Sequence, residues 1–213
     1  MHQRPNISIL FLLLAIGVFP SCKDGGKNQA DKSKTYENEV KAPLRAPGQE
    51  TPPAGTAREE QLFREACMQG LAAEVEGYLY SGIDPAAEDG DGRTGLMLAA
   101  FNGHTEIVKM LLDQDVPVNK TDLSGRTALM YASTGHFPET VETLLTGGAD
   151  PNLADNQEGF TALMFAAAEG NARVVRLLLD HGADPDTRDT DGDDAETFAR
   201  QNGHTEVAEM LVQ

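Results

Sequence analysis

Thr94-Gly95-Leu96-Met97-Leu98-Ala99-Ala100 returns as Thr127-Ala128-Leu129-Met130-Tyr131-Ala132-Ser133 and again as Thr161-Ala162-Leu163-Met164-Phe165-Ala166-Ala167. The leading leucines, Leu96, Leu129 and Leu163, stand 33 and 34 residues apart. Working outward, Phe63 falls on the same grid, with Ala66-Cys67 and Gly70. Glu196 falls on it at the other end, with Phe198-Ala199 and Gly203-His204. The starts are thus spaced 33, 33, 34 and 33. A fixed period of this length marks a stack of supersecondary units, none of which can bury its apolar side alone.

The residue types fit helix pairs. Thr94, Thr127 and Thr161 stand at helix N-caps, where a hydroxyl accepts a bond from a free backbone N–H. Small pairs such as Ala99-Ala100 and Ala166-Ala167 let neighbouring helices approach closely. Gly103, Gly170 and Gly203 permit the positive φ that ends a first helix. Ile107-Val108 and Met110-Leu111-Leu112 make one apolar stripe of a second helix. Gly148 and Gly182 end the second helix in the same way. Asp122–Gly125 and Asp155–Gly159 form projecting turns, and one extra residue in the second explains the 34-residue step.

These segments resemble the ankyrin repeat, whose period is 33 and whose signature is T-P-L-H-x-A. Gly103-His104-Thr105-Glu106-Ile107-Val108, Gly170-Asn171-Ala172-Arg173-Val174-Val175, Leu177-Leu178-Leu179 and Gly182-Ala183-Asp184 match the rest of its pattern. The chain departs from it at the Pro (Gly95, Ala128, Ala162) and at the His (Met97, Met130, Met164). Asp115 stands where the second helix usually ends in Gly. The resemblance implies an all-α solenoid of helix–turn–helix units with short β-turn or hairpin loops over 58–213. The expected units are about 58–90, 91–123, 124–156, 157–190 and 191–213. End units should be atypical, since one face meets water. Arg58–Ala86 and Asp191–Gln213 are the expected caps, and Glu196, Glu206 and Glu209 fit the second.

The N-terminal quarter differs in kind. Ile7–Phe19 is an apolar run of 13 residues after Arg4. A membrane span needs about 20 such residues, so the run suits a secretory signal peptide over 1–21. Phe19-Pro20-Ser21-Cys22 resembles the lipobox of bacterial lipoproteins, with Phe19 and Pro20 departing from its usual residues. The resemblance implies lipidation at Cys22; the alternative is plain secretion. Lys23–Ala57 is too polar to offset ordering entropy, and is expected to be a disordered tether over 22–57. The expected location is a bacterial cell envelope, on a membrane facing the periplasm or cell surface.

Charge narrows the partners. The 213 residues carry 17 Lys+Arg against 34 Asp+Glu, a net charge of −17. Arg58–Gln213 alone carries ten basic and 29 acidic residues, so the acidity belongs to the repeats. A polyanion repels a phosphate backbone, which argues against nucleic acid and for a protein with a basic patch. Aromatics are few and Trp absent, so the core is built from Ala, Leu, Val and Met. Two cysteines exclude a disulfide scaffold. Cys67 reads as a small buried residue.

No nucleophile elbow, P-loop, H-E-x-x-H or C-x-x-C occurs. His104, His136 and His204 fall at or beside the helix turn, a structural place. A calcium loop counted from Asp189 fails, since Asp194 stands where Gly is needed and Arg200 where Glu is needed. A weak loop-tip calcium site and a solvated turn remain the alternatives. No cofactor is implied. What remains is surface. Ankyrin-like folds dock partners on the concave face of turn tips and first helices. By register this turns Arg93, Phe101, Asn102, Leu123, Arg126, Glu158, Phe160, Glu169, Gln201 and Asn202 toward a partner. Phe101, Leu123 and Phe160 either await burial by that partner or pack on the neighbouring unit. The expected function is non-catalytic protein binding by a monomer. The alternatives are regulation of an envelope enzyme and, less favoured, an enzyme, a self-assembler or a weak calcium binder.

Overall fold

The computed structural model describes residues 55–212. The expected signal peptide, Cys22 and most of the expected tether lie outside the described residues. Among the described residues the chain forms ten helices in five antiparallel pairs: α1 (Ala57–Gln69) and α2 (Ala72–Tyr80), α3 (Gly95–Phe101) and α4 (Thr105–Leu112), α5 (Ala128–Ser133) and α6 (Pro138–Thr146), α7 (Ala162–Ala168) and α8 (Ala172–Asp180), α9 (Ala195–Gln201) and α10 (Thr205–Leu211). First helices pack on first helices along the row, and second helices on second helices. The expected all-α solenoid is therefore the observed one. Its loops add only two isolated antiparallel bridges, Glu88 to Thr94 and Ala154 to Thr161.

The repeated threonines start the first helices as their chemistry demands. The hydroxyls of Thr94, Thr127 and Thr161 accept from the backbone N–H of Met97, Met130 and Met164 at 3.4, 3.3 and 3.4 Å. In the last pair Asp194 takes over, accepting from Thr197 N at 3.0 Å. Gly103, Gly170 and Gly203 adopt φ of 71°, 71° and 82°, closing the turn to the second helix. Asp115 takes φ 56°, the sole positive-φ non-glycine among the described residues, so the glycine departure seen in sequence is met by an aspartate in the left-handed region.

The core lies between the two helix layers. Leu96, Leu129 and Leu163 are buried with Val108, Val141 and Val175 and with Leu111, Leu144 and Leu178. Close approach explains Gly95: a Cβ there would sit 2.9 Å from Cys67 Sγ and 3.1 Å from the Phe63 ring. Cys67 is buried and unbridged, and burial pushes its thiol up to about 12.

Two side-chain ladders join one pair to the next. His104 and His204 donate from Nε2 to Met68 O and Ala168 O, each at 3.0 Å. Asn171 Nδ2 donates to Gly135 O at 2.9 Å in the same register. The fourth member, Phe137, cannot donate and instead lays its ring against Gly103. Across the loops, Asn119 donates to Gly148 O at 3.2 Å and accepts from Asp150 N at 2.8 Å. Asn152 repeats this with Gly182 O at 2.9 Å and Asp184 N at 2.8 Å. One period earlier the chain has Ala86, facing Pro117, which has no N–H to be bonded.

The two ends of the row differ. At the C-terminal end Glu196 and Arg200 replace the Leu and Ala of the preceding pair and form an ion pair with each other. At the N-terminal end, α1 begins about five residues before the other first helices, capped reciprocally by Thr56 and Glu59. Its Leu62 occupies the register of Gly95, Ala128, Ala162 and Ala195, which bury against a preceding pair, and stays 40% exposed. The C-terminal end thus presents a charged pair where the preceding units have apolar residues, and the N-terminal end keeps a partly exposed leucine.

Candidate docking face

The loops between pairs and the roots of the first helices form one side of the array. Each loop is folded around an aspartate. Asp89, Asp122 and Asp189 accept two backbone N–H bonds each on Oδ1, at 2.8–2.9 Å. Asp155 Oδ1 accepts four, from Gln157, Glu158, Gly159 and Phe160, which accommodates the extra residue. The loop tips hold each other through Leu123 N to Asp91 O (3.0 Å), Asn156 N to Ser124 O (2.8 Å) and Thr190 N to Glu158 O (2.9 Å).

Above this row runs a ladder of rings and guanidinium groups. Arg93 Nε donates to Asp89 Oδ2 at 2.8 Å, and its Nη2 lies 3.0 Å from Asp91 Oδ2. Burial pulls the Asp89 carboxyl up, but the backbone N–H and guanidinium of Arg93 and the Asp91 N–H outweigh it and hold it below the usual range. Phe101 is half-buried and meets Tyr131 edge-on at 6.1 Å. Tyr131 donates its hydroxyl to Asp122 Oδ2 at 2.7 Å. Burial, then Asp122, push its phenol above the ordinary value. Arg126 lies over the Phe165 ring at 5.6 Å, with Nε 3.7 Å from Asp155 Oδ2.

The expectation that Phe160 faces a partner is corrected. Its ring is only 8% exposed and is wedged edge-on between Phe165 at 5.6 Å and Phe198 at 5.2 Å. Phe198 belongs to the next pair and covers it. Asn102 and Asn202 are half-buried, and their amides donate back to Leu98 O and Phe198 O at 3.1 and 3.0 Å. Glu169 is half-buried; burial raises its carboxyl, partly offset by His136 and His204. Glu158 and Gln201 are exposed. Leu123 projects from its loop tip at 75% exposure. The face thus brings together Arg93, Phe101, Leu123, Arg126 and Glu158, and withdraws Phe160.

Sequence reasoning missed the inter-pair role of His104, Asn171 and His204. Their shared place in the repeat, 67 and 33 residues apart, was the available signal, since all three can donate to a carbonyl. Among the described residues no group of three His, Cys, Asp or Glu side chains is placed to hold a metal ion, and no helix is long and apolar enough to cross a membrane.

Helix pairs in a row, joined by carboxylate-centred loops, define a repeat protein. The family model for "Ankyrin repeats (3 copies)" matches residues 63–155 and 133–213, and the chain belongs to the ankyrin repeat family. Over 100 residues it is 38% identical to the human photoreceptor ankyrin repeat protein, covering 45% of this chain and 22% of that one. It is 40% identical over 65 residues to the Caenorhabditis elegans ankyrin repeat and KH domain-containing protein mask-1, covering 30% of this chain and 2% of that one. It is 44% identical over 66 residues to mouse ankyrin repeat and SAM domain-containing protein 6, covering 30% and 8%. The chain thus spans less than a quarter of each of these relatives, and the likeness is to their repeats. Ankyrin repeats are generally non-catalytic modules that bind other proteins.

Proposed function

We infer that this chain is exported and lipid-anchored through Cys22, and that it docks an envelope protein on the face of loop tips and first helices. The observation that carries the docking reading is Leu123. It is a large apolar side chain held out at 75% exposure by a loop whose backbone is fully tied down. Rigid presentation lowers the ordering cost of binding, and an exposed leucine gains about 1.5–3 kcal/mol if fully buried by a partner. The carboxylates around it favour a partner with a basic patch. The apolar run Ile7–Phe19 followed by Ser21-Cys22 supports export and anchoring.

The test is site-specific photocrosslinking in intact cells. A crosslinker in place of Leu123 should capture one protein that a crosslinker in place of Lys109, exposed on α4, does not. Equal capture at both positions would reject the docking face. Replacement Cys22→Ser should move the protein from the membrane to the soluble fraction; unchanged membrane association would reject the lipid anchor.

A further inference from the structure

The loop aspartates differ in their second oxygen. Asp89 Oδ2 accepts from Arg93 at 2.8 Å, and Asp122 Oδ2 from Tyr131 at 2.7 Å. Asp155 Oδ2 faces Arg126 Nε at 3.7 Å. Asp189 Oδ2 is buried and has no hydrogen-bond partner among the described residues, on a residue 7% exposed.

The register explains the difference. Three places set a donor or a cation toward these carboxylates: four residues on in the same loop (Arg93 for Asp89), nine residues on in the first helix (Tyr131 for Asp122), and 29 residues back in the preceding loop, where Arg126 pairs with Asp155 by charge beyond hydrogen-bond distance. For Asp189 the same places hold Asp193, Phe198 and Phe160. One is an acid and two are hydrocarbon rings, so none can donate. The loop's own cation is committed elsewhere: Arg188 lies 3.1 Å from Asp194 and donates to Gly192 O at 2.7 Å. A buried carboxylate oxygen without a donor is costly, and none of the described residues satisfies it.

We propose that Asp189, with the acidic loop around it, is a site for a guanidinium presented by a partner protein. The inference rests on the protein-binding reading above and names the partner's chemistry. Arg126 shows the mode of fit one pair earlier, where a guanidinium sits over a ring and faces a loop aspartate. At the last loop the rings of Phe160 and Phe198 are packed against each other, so the carboxylate is the feature that recognises the guest, and the planar fork of a guanidinium suits it better than an ammonium does. A divalent ion is disfavoured because no three ligand groups converge among the described residues. Asp189 is buried, so entry requires its surroundings to open.

The probe is a capped penta-arginine peptide, titrated into the full chain at low salt by calorimetry and amide NMR. Saturable binding with shifts centred on residues 189–193 is expected. Asp189→Asn keeps the Oδ1 acceptor that folds the loop, and should weaken binding about tenfold or more. The melting transition of Asp189→Asn checks that the fold is kept. Equal binding by wild type and Asp189→Asn overturns the proposal. So do peptide shifts that lie away from this loop, or calcium producing the same shifts at lower concentration than the peptide. Capture at Leu123 in cells that persists in Asp189→Asn would reject this site while leaving the docking reading standing.

Discussion

At the scale of single residues, the decisive fact is that one register position holds different side chains with different fates. Phe160 and Arg126 occupy equivalent positions, yet one ends as a buried wedge and the other as a half-exposed cation. The difference lies in what stands opposite: Phe165 and Phe198 clamp Phe160, whereas Phe165 alone supports Arg126. Phe160→Ala therefore removes a ring from a packed junction. It should cost about 3–5 kcal/mol, the ordinary range for truncating a buried phenylalanine. Urea denaturation checks it; a change under about 1 kcal/mol would mean that the junction collapses onto the gap or that the ring is exposed in solution.

At the scale of elements, the joints between pairs are unequal. Asn152 ties two successive loops with one bond given and one accepted, and Asn119 does the same one period earlier. The first joint has Ala86 against Pro117 and lacks the bridge. Asn152→Ala should cost about 1–2 kcal/mol, since two hydrogen bonds are lost at exposed positions. Hydrogen exchange should show faster exchange at Asp184 and in α9 and α10 while α3 to α6 keep their protection. Uniform acceleration throughout would show instead that the row unfolds as a single unit. How much of this was legible in sequence follows from what each position depends on. Helix starts at Thr94, Thr127 and Thr161 and turns at Gly103, Gly170 and Gly203 are local chemistry, and one period displays them. The exposure of Phe160 and the missing donor of Asp189 depend on residues 38 and 29 positions away, namely Phe198 and Phe160, and only the register between pairs reveals such relations. The early start of α1 at Ala57 lies one residue from the expected start of the repeat region at Arg58, and its cap, Thr56 with Glu59, is local chemistry outside the periodic grid.

At the scale of the whole repeat region, 29 acidic against ten basic residues over 58–213 set two effects of opposite sign. Like charges repel within the folded array, so the native state carries an electrostatic cost that screening relieves. The same charges attract a cationic partner, and screening weakens that attraction. Raising salt from about 20 mM to about 300 mM shortens the Debye length from roughly 20 Å to roughly 6 Å. That range spans the spacing between successive loops and removes most of the long-range field while sparing buried pairs such as Tyr131 with Asp122. The urea midpoint should rise over this range, and affinity for a cationic peptide should fall over the same range. Measured together, the two curves must diverge. A peptide affinity that holds constant while the midpoint rises would mean that the acidic surface shapes folding but takes no part in recognition, which would leave Leu123 and its apolar surroundings to carry docking alone.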